Sequence, residues 1–312
     1  VLIATYNRAA YLRLAVESVL AQSLRDFALR IVDDASTDAT PDVVAAIDDP
    51  RVSYARNEHN LGWLGNCNRA LEGVTTPYVM LLGDDDVMTP GALERAVTVL
   101  DEQPTVGLVH AAFNVIDSNG DVILEATNWT GEGTMDTVEP GREFIRKSVR
   151  GGCRVCAATA VMRTALVPAT PFLPPDGPAA DVGLWLRIAL HSDVRILAQP
   201  GVNYRVHTGS DSANWSLVSG ARYVESPQLI RLVRDMKLRF INENAAQLDN
   251  APQLRSVTHR AAMRTRLLRA LGPTTVDTFR TARTRVQLAK AKSSLRAEVA
   301  TAETVRGNSA DG

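Results

Sequence analysis

Four strand-like segments within the first 86 residues each lead to a cluster of polar side chains, and a helix-like pattern follows every one of them. Residues 1–4 lead into Thr5-Tyr6-Asn7-Arg8 and then helical periodicity through Leu20. Residues 27–32 end at Asp33-Asp34-Ala35-Ser36 before a helical stretch at 40–47. Residues 51–55 precede Asn60-Leu61-Gly62 and a helix at 64–71, and residues 78–82 run into Asp84-Asp85-Asp86, with a helix from Pro90 to about residue 102. Alternation at this spacing predicts an α/β fold: a mostly parallel sheet flanked by helices on both faces. Ligands of such sheets settle in the crevice at the carboxyl ends of the strands, which is where all four clusters fall.

Further along, the pattern predicts a strand over 106–116 closed by the turn Asp117-Ser118-Asn119-Gly120. A loop with one helix at 142–149 is expected over 125–152, then a strand over 155–162. Prolines within 168–178 preclude regular structure and suit a loop that covers a substrate. A helix is expected over 181–190, and from about residue 220 the pattern is helical nearly to the end, broken at 250–252 and at Gly272-Pro273. The chain opens directly on a strand, as a trimmed chain or a late-assigned start would. These features divide it into a body of residues 1–215, a helical C-terminal extension of residues 216–306 and a disordered tail of residues 307–312.

With 45% hydrophobic and 22% charged residues over 312 positions, the chain can bury a sizeable core, which excludes a disordered, collagen-like or disulfide-scaffold protein. Three cysteines, Cys67, Cys153 and Cys156, imply no disulfide framework and suit a reducing compartment. Cys153 and Cys156 lack the second pair that a zinc site needs. No apolar run reaches the length of a membrane span and no leader pattern opens the chain, so the expected location is cytoplasmic. Residues 220–312 carry seventeen Lys and Arg against eight Asp and Glu, a net of +9, leaving −10 for residues 1–219. Because the acidic body holds the motifs, no nucleic acid partner is expected. In the basic C-terminal extension, Met263, Leu267 and Leu271 form an apolar stripe among Arg255, Arg260, Arg264, Arg266 and Arg269. The stripe either packs on the acidic body, the favoured reading, or makes a peripheral contact with the anionic inner face of the cell membrane.

Asp84-Asp85-Asp86 is the sharpest of the clusters. Like charges this close repel, so the trio stays ionised cheaply only beside a cation, and hard oxygen ligands favour Mg2+ or Mn2+. The plain alternative is a solvated turn in which Asp86 or Thr89 caps the next helix. Six stretches taken in order, VLIATYNR, VDDASTD, NLG, LLGDDDVMTP, DVGLWLRIA and YRVHTGSDS, resemble the inverting family 2 glycosyltransferases with the GT-A fold. The resemblance covers roughly residues 1–212.

It implies a GT-A (nucleotide-diphospho-sugar transferase-like) catalytic domain over 1–215, with a nucleotide-sugar half at about 1–110 and an acceptor half at about 111–215. Thr5 and Tyr6, with Asn7 and Arg8 in the same loop, match the segment that lies against the nucleotide base. Asp34 matches an acid that accepts a hydrogen bond from a base nitrogen. Asp85 matches the metal-binding acid, flanked by Asp84 on the nucleotide side and by Asp86 as a second candidate ligand. The common form of this motif has an acid two residues before the ligand; Gly83 stands there, with Asp84 compensating. Asn60, Gly62 and Asn68 match a stretch near the diphosphate, in which Cys67 takes a place where Arg is frequent. Asp181, ahead of Leu184-Trp185-Leu186-Arg187, matches the general base, its plain alternative being a helix N-cap. His207 matches a position that in some relatives binds the metal or the departing phosphate, with a structural histidine as the alternative. His59, His110, His191 and His259 fit no partner pattern.

The expected activity is sugar transfer with inversion from a nucleotide diphosphate sugar to a hydroxyl of a saccharide or lipid-linked acceptor. UDP is the first choice of carrier, with GDP and dTDP as alternatives; Mg2+ or Mn2+ assists and Asp181 acts as base. One rival is a sugar nucleotidyltransferase, whose Gly-rich loop residues 1–8 lack. The other is a catalytically silent nucleotide-sugar binding module, against which the presence of both Asp85 and Asp181 argues.

Overall fold

The computed structural model describes residues 1–129, 135–151, 154–207, 209, 216–219, 222–225 and 227–249. The first half comprises β1 (Leu2–Thr5), α1 (Ala9–Leu20), β2 (Leu29–Asp33), α2 (Thr40–Ala45), β3 (Val52–Arg56), α3 (Gly62–Leu71), β4 (Tyr78–Leu82), β5 (Val87–Met88) and α4 (Ala92–Glu102). The second comprises β6 (Val106–Ile116), β7 (Val122–Thr127), β8 (Thr137–Glu139), α5 (Gly141–Arg150), β9 (Val161–Arg163), α6 (Ala180–Ala189) and β10 (Asp193–Arg205). A hairpin of β11 (Ser216–Ser219) and β12 (Arg222–Glu225) then leads to α7 (Pro227–Glu243) and α8 (Ala245–Asp249).

The main sheet is ordered β3-β2-β1-β4-β9-β6-β10-β5, with β7 on β6 and β8 on β10. Strands β3, β2, β1 and β4 are parallel, as are β6 and β10, whereas β9, β5, β7 and β8 pair antiparallel. Period two divides the apolar runs between two cores. Leu2 and Val32 enter one layer with Leu184, Trp185 and Ile188 of α6; Ile3 and Ile31 enter the other with α1 and α4. Helix α1 buries Leu12, Ala15, Val16 and Val19, a stripe at helical spacing. Each fully buried side chain of Leu or Val size contributes about 1.5–3 kcal/mol. Helix α7 joins the first layer through Met236, Phe240 and Ile241. No described helix is long and apolar enough to cross a membrane.

Several segments depart from the sequence expectation. The strand expected over 155–162 shrinks to β9, because residues Ala157–Thr159 form a 3-10 turn. The Thr159 hydroxyl holds that turn by donating to the Cys156 carbonyl at 2.8 Å, a local bond that competes with the ladder. Residues 137–139, expected within a loop, pair with β10 as β8. Strand β10 itself was not expected, since Pro200 and Gly201 interrupt its alternation at the register shift between Leu197 and Val202. Residues 222–225 form a strand where helix was expected; Tyr223 and Val224 suit a pleated pair. Within 168–178, residues Pro174–Ala179 form 3-10 structure around Gly177 at φ 54°. The apolar stripe at 263–271, the breaks at 250–252 and 272–273, the tail at 307–312, Cys153 and His259 all lie outside the described residues.

Candidate active site

The carboxyl ends of β1, β2 and β4 bring three of the four polar clusters together. Asn7 takes a left-handed conformation, φ 53°, that turns the chain sharply after β1. Its side-chain oxygen accepts from the backbone N–H of Thr37 at 2.7 Å and of Asp38 at 3.3 Å, and its own N–H donates to the Ser36 hydroxyl at 2.9 Å. Asn7 thus ties the loop after β1 to the loop after β2. Thr5 is buried at the end of β1, while Tyr6 is 44% exposed and its N–H donates to Asp84 Oδ2 at 3.4 Å. Arg8 Nε lies 3.9 Å from Asp84 Oδ1, and the same guanidinium donates to the Gly209 carbonyl.

Asp34 is buried, and its Oδ1 accepts from Asn57 Nδ2 and from the Leu61 N–H, both at 2.8 Å. Asn60 Oδ1 accepts the Gly62 N–H at 2.8 Å, and Gly62 sits at φ 74°, a conformation that only glycine adopts cheaply. Asp34 and the 60–62 turn are therefore one hydrogen-bonded unit. Asn66, which sequence reasoning missed, is buried beneath it; its Nδ2 donates to Val32 O at 3.0 Å and Thr5 O at 3.3 Å. An Asn inside an otherwise helical stretch was the available signal.

The acid trio divides by burial and by partner. The side chains of Asp84 and Asp85 are 15% and 17% exposed, whereas Asp86 is 2% exposed. Burial, reinforced by the Asp85 charge, pushes the Asp84 carboxyl up to about 7; the same two causes raise Asp86 well above the carboxylate range. Asp86 Oδ1 accepts the Arg205 N–H at 2.8 Å. Asp86 is thus tied to β10 through one carboxylate oxygen. Neither Asp86 nor Thr89 caps the next helix, since α4 has Gly91 at its N-cap with no side-chain bond.

Asp85 Oδ2 lies 3.0 Å from His207 Nε2, and the two side chains belong to residues 122 positions apart. The His207 ring packs tilted by 43° against Tyr11, with 4.9 Å between ring centres, and the Arg205 guanidinium lies 4.8 Å from the Tyr11 ring centre. Arg205 also donates to the carbonyls of Asp85 at 2.8 Å and Asp117 at 3.0 Å. Sequence reasoning passed over Arg205 and Tyr11, although Arg205 lies in the same stretch as His207.

The donor set can be tested for a divalent ion. Two donors bound at about 2.1 Å and about 90° apart on one octahedral ion are separated by about 3.0 Å, as Asp85 Oδ2 and His207 Nε2 are. Nitrogen and carboxylate oxygen together suit a first-row transition ion. Gly209 N–H donates to His207 Nδ1 at 3.2 Å, so ligation through Nε2 requires that contact to open and the ring proton to move to Nδ1. No group of three or more His, Cys, Asp or Glu is arranged to hold an ion among the described residues. Two protein donors fit an ion that completes its shell with phosphate oxygens and water.

Two further expected residues lie on α3 and α6. Asn68 exchanges a pair of hydrogen bonds with the main chain of Phe172, at 2.8 and 3.0 Å, and so anchors the 168–178 loop to α3. Both ends of its amide are thus engaged with that loop. Asp181 stands in the first turn of α6, behind an N-cap occupied by Ala179 that makes no side-chain bond. The simple N-cap alternative is therefore not realised; Asp181 Oδ1 accepts the Val182 N–H at 2.7 Å.

The profile described as Glycosyl transferase family 2 matches residues 1–160, just over half of the chain, and the chain belongs to that family. It is 36% identical over 129 residues to an uncharacterized glycosyltransferase of Nostoc sp., covering 41% of this chain and 40% of that protein. It is 31% identical over 156 residues to the GalNAc(5)-diNAcBac-PP-undecaprenol beta-1,3-glucosyltransferase of Campylobacter jejuni, covering 48% of each. The chain thus spans less than half the length of these relatives. Among solved structures, S. aureus TarS in complex with UDP-GlcNAc superposes with a TM-score of 0.56 at 18% identity, over 80% of this chain and 72% of that one. The shared fold is GT-A.

Proposed function

We propose that the chain is an inverting, metal-assisted glycosyltransferase that moves a sugar from a nucleotide diphosphate donor to an acceptor hydroxyl. The observation that carries this reading is the approach of Asp85 to His207 at 3.0 Å, at the strand ends where Tyr6, Arg8 and Asp84 also meet. Asp85 and His207 would hold Mn2+ or Mg2+, with the imidazole favouring manganese. Bound there, the ion supplies charge neutralisation for the departing diphosphate. Arg8 lies close enough to add a guanidinium to the same phosphates, and Thr5, Tyr6, Asn7 and Asp34 would receive the base and ribose. UDP is the carrier of choice because TarS, of the same fold, holds UDP-GlcNAc.

In the transfer step the acceptor oxygen forms a bond to the anomeric carbon as the bond to the phosphate oxygen breaks. Asp181 takes the hydroxyl proton, and attack opposite the leaving group inverts the configuration. Alignment of donor and acceptor supplies much of the rate, helped by exclusion of water under the 168–178 loop. A lipid-linked acceptor is favoured by the name of the Campylobacter relative, which acts on an undecaprenol-linked glycan. We assign the donor to residues 1–110 and the acceptor to 111–215, with the basic residues 216–306 as an extension of the catalytic domain.

Calorimetry with UDP and MnCl2 tests the reading. The parent is expected to bind UDP more tightly with manganese than without, and Asp85→Ala to lose that difference. Equal manganese dependence in parent and variant would refute the assignment.

A further inference from the structure

Helix α7 lies beyond the stretch matched by the family profile, yet it carries two cations into the body. Lys237, 6% exposed, donates from Nζ to the Gly151 carbonyl at 2.6 Å. Arg239 forms an ion pair with Asp176, which is 2% exposed and stands five residues before Asp181. The Asp176 carboxylate fills the space over Gly183 in α6: a Cβ there would meet Asp176 Oδ2 at 3.0 Å, Arg187 Nη1 at 3.3 Å and Met236 Sδ at 3.5 Å. Arg187 in turn donates to the Pro171 carbonyl at the other end of the loop. One buried acid therefore lies between a guanidinium of α6 and a guanidinium of α7. Burial raises its pKa, and the two arginines oppose that rise.

Cohesion alone does not call for this arrangement. Met236, Phe240 and Ile241 already join α7 to the core, and a buried ion pair is often no more stabilising than apolar residues of the same volume. What a hydrogen-bonded pair adds is a fixed direction. At the entry to α6, the N-cap residue Ala179 supplies no such bond of its own.

We propose that Asp176 and Arg239 are positioning residues: through this pair helix α7 fixes the loop that enters α6 and so sets the placement of Asp181. The proposal rests on Asp181 acting as the base. Misplacement of a reacting group by about 1 Å can cost about a hundredfold in rate, so the effect should appear in kcat.

The test uses the full chain and the variants Arg239→Met, Arg239→Lys, Asp176→Asn, the double Asp176→Asn/Arg239→Met, and Asp181→Asn in parallel. UDP release from a panel of UDP-hexoses gives kcat and KM, calorimetry with UDP and MnCl2 gives donor-side affinity, and hydrogen exchange is followed over residues 174–184. Arg239→Met and Asp176→Asn are each expected to lower kcat about tenfold or more, with KM and UDP affinity within about twofold of the parent. The double variant should fall no further than either single one, and Arg239→Lys should recover most of the rate. Exchange over 174–184 should accelerate in Arg239→Met. Unchanged kcat, additive losses, or unchanged exchange would overturn the proposal, as would UDP affinity falling in step with kcat. If Arg239→Met fails to fold, Asp176→Asn and Arg239→Lys carry the same comparison. Normal turnover by Asp181→Asn would refute the base assignment instead, and it is scored separately from the pair.

Discussion

His110 is buried in β6, where its Nε2 has no hydrogen-bond partner among the described residues. Burial, with the Arg154 cation as a second cause, depresses its pKa to about 3. In an unfolded chain the same imidazole titrates at about 6.5. Below that pH the unfolded state takes up a proton that the folded state refuses, so stability is complete above about 6.5 and drains away as the pH falls toward 3. At about 1.36 kcal/mol per pH unit past the unfolded pKa, going from pH 7.5 to pH 5.0 removes about 2 kcal/mol. His110→Leu eliminates the titration and leaves no ring nitrogen unsatisfied in the core. Urea denaturation of parent and variant at both pH values isolates the effect. Asp84 and Asp86, whose folded pKa values are raised, act in the opposite sense and cancel in the difference. The parent should lose about 2 kcal/mol more than His110→Leu between pH 7.5 and 5.0. Parallel pH dependence in the two proteins would refute the buried neutral imidazole.

Asp181→Asn should bind UDP like the parent and slow sugar transfer by about a hundredfold or more, while product from the parent carries the inverted anomeric configuration on NMR. A retained configuration would exclude direct displacement with Asp181 as base. A Cβ at Gly83 would lie 2.7 Å from Asp86 Oδ2 and 3.2 Å from Asp85 Oδ1, and Asp86 cannot yield without losing its bond to Arg205 N–H. Gly83→Ala should therefore cost about 1–3 kcal/mol in denaturation and weaken manganese-dependent UDP binding; an unaffected variant would mean that the trio is freer than drawn. Residues 250–312 hold twelve Lys and Arg against four Asp and Glu. If their apolar stripe packs on the acidic body, the intact protein should not float with anionic vesicles at low salt, and flotation abolished by truncation after residue 249 would assign the segment to a membrane surface instead.

The strand-end clusters were legible because β1, β2 and β4 are buried on both faces and read as unbroken apolar runs, so the first polar residue after each run marks the crevice. Asn7, Asp34 and Asp84 to Asp86 could be located that way before any geometry was known. What each acid touches was not legible, because its partner comes from distant sequence. Asp86 meets Arg205 through β10, a strand whose Pro200 and Gly201 hide its alternation. The register explains the contact. Val87 and Met88 of β5 pair with Asn203 and Val202 of β10, so the chain just past the trio is already laced to that strand. The bond from Arg205 N–H to Asp86 Oδ1 continues the lacing with a side chain in place of a carbonyl, and the Arg205 guanidinium closes it by bonding the Asp85 carbonyl. Two residues further along the same strand exit, His207 then arrives opposite Asp85. The acid and the imidazole thus meet because β10 pairs with β5 in this register, and a one-residue slip would turn both contacts to the opposite face.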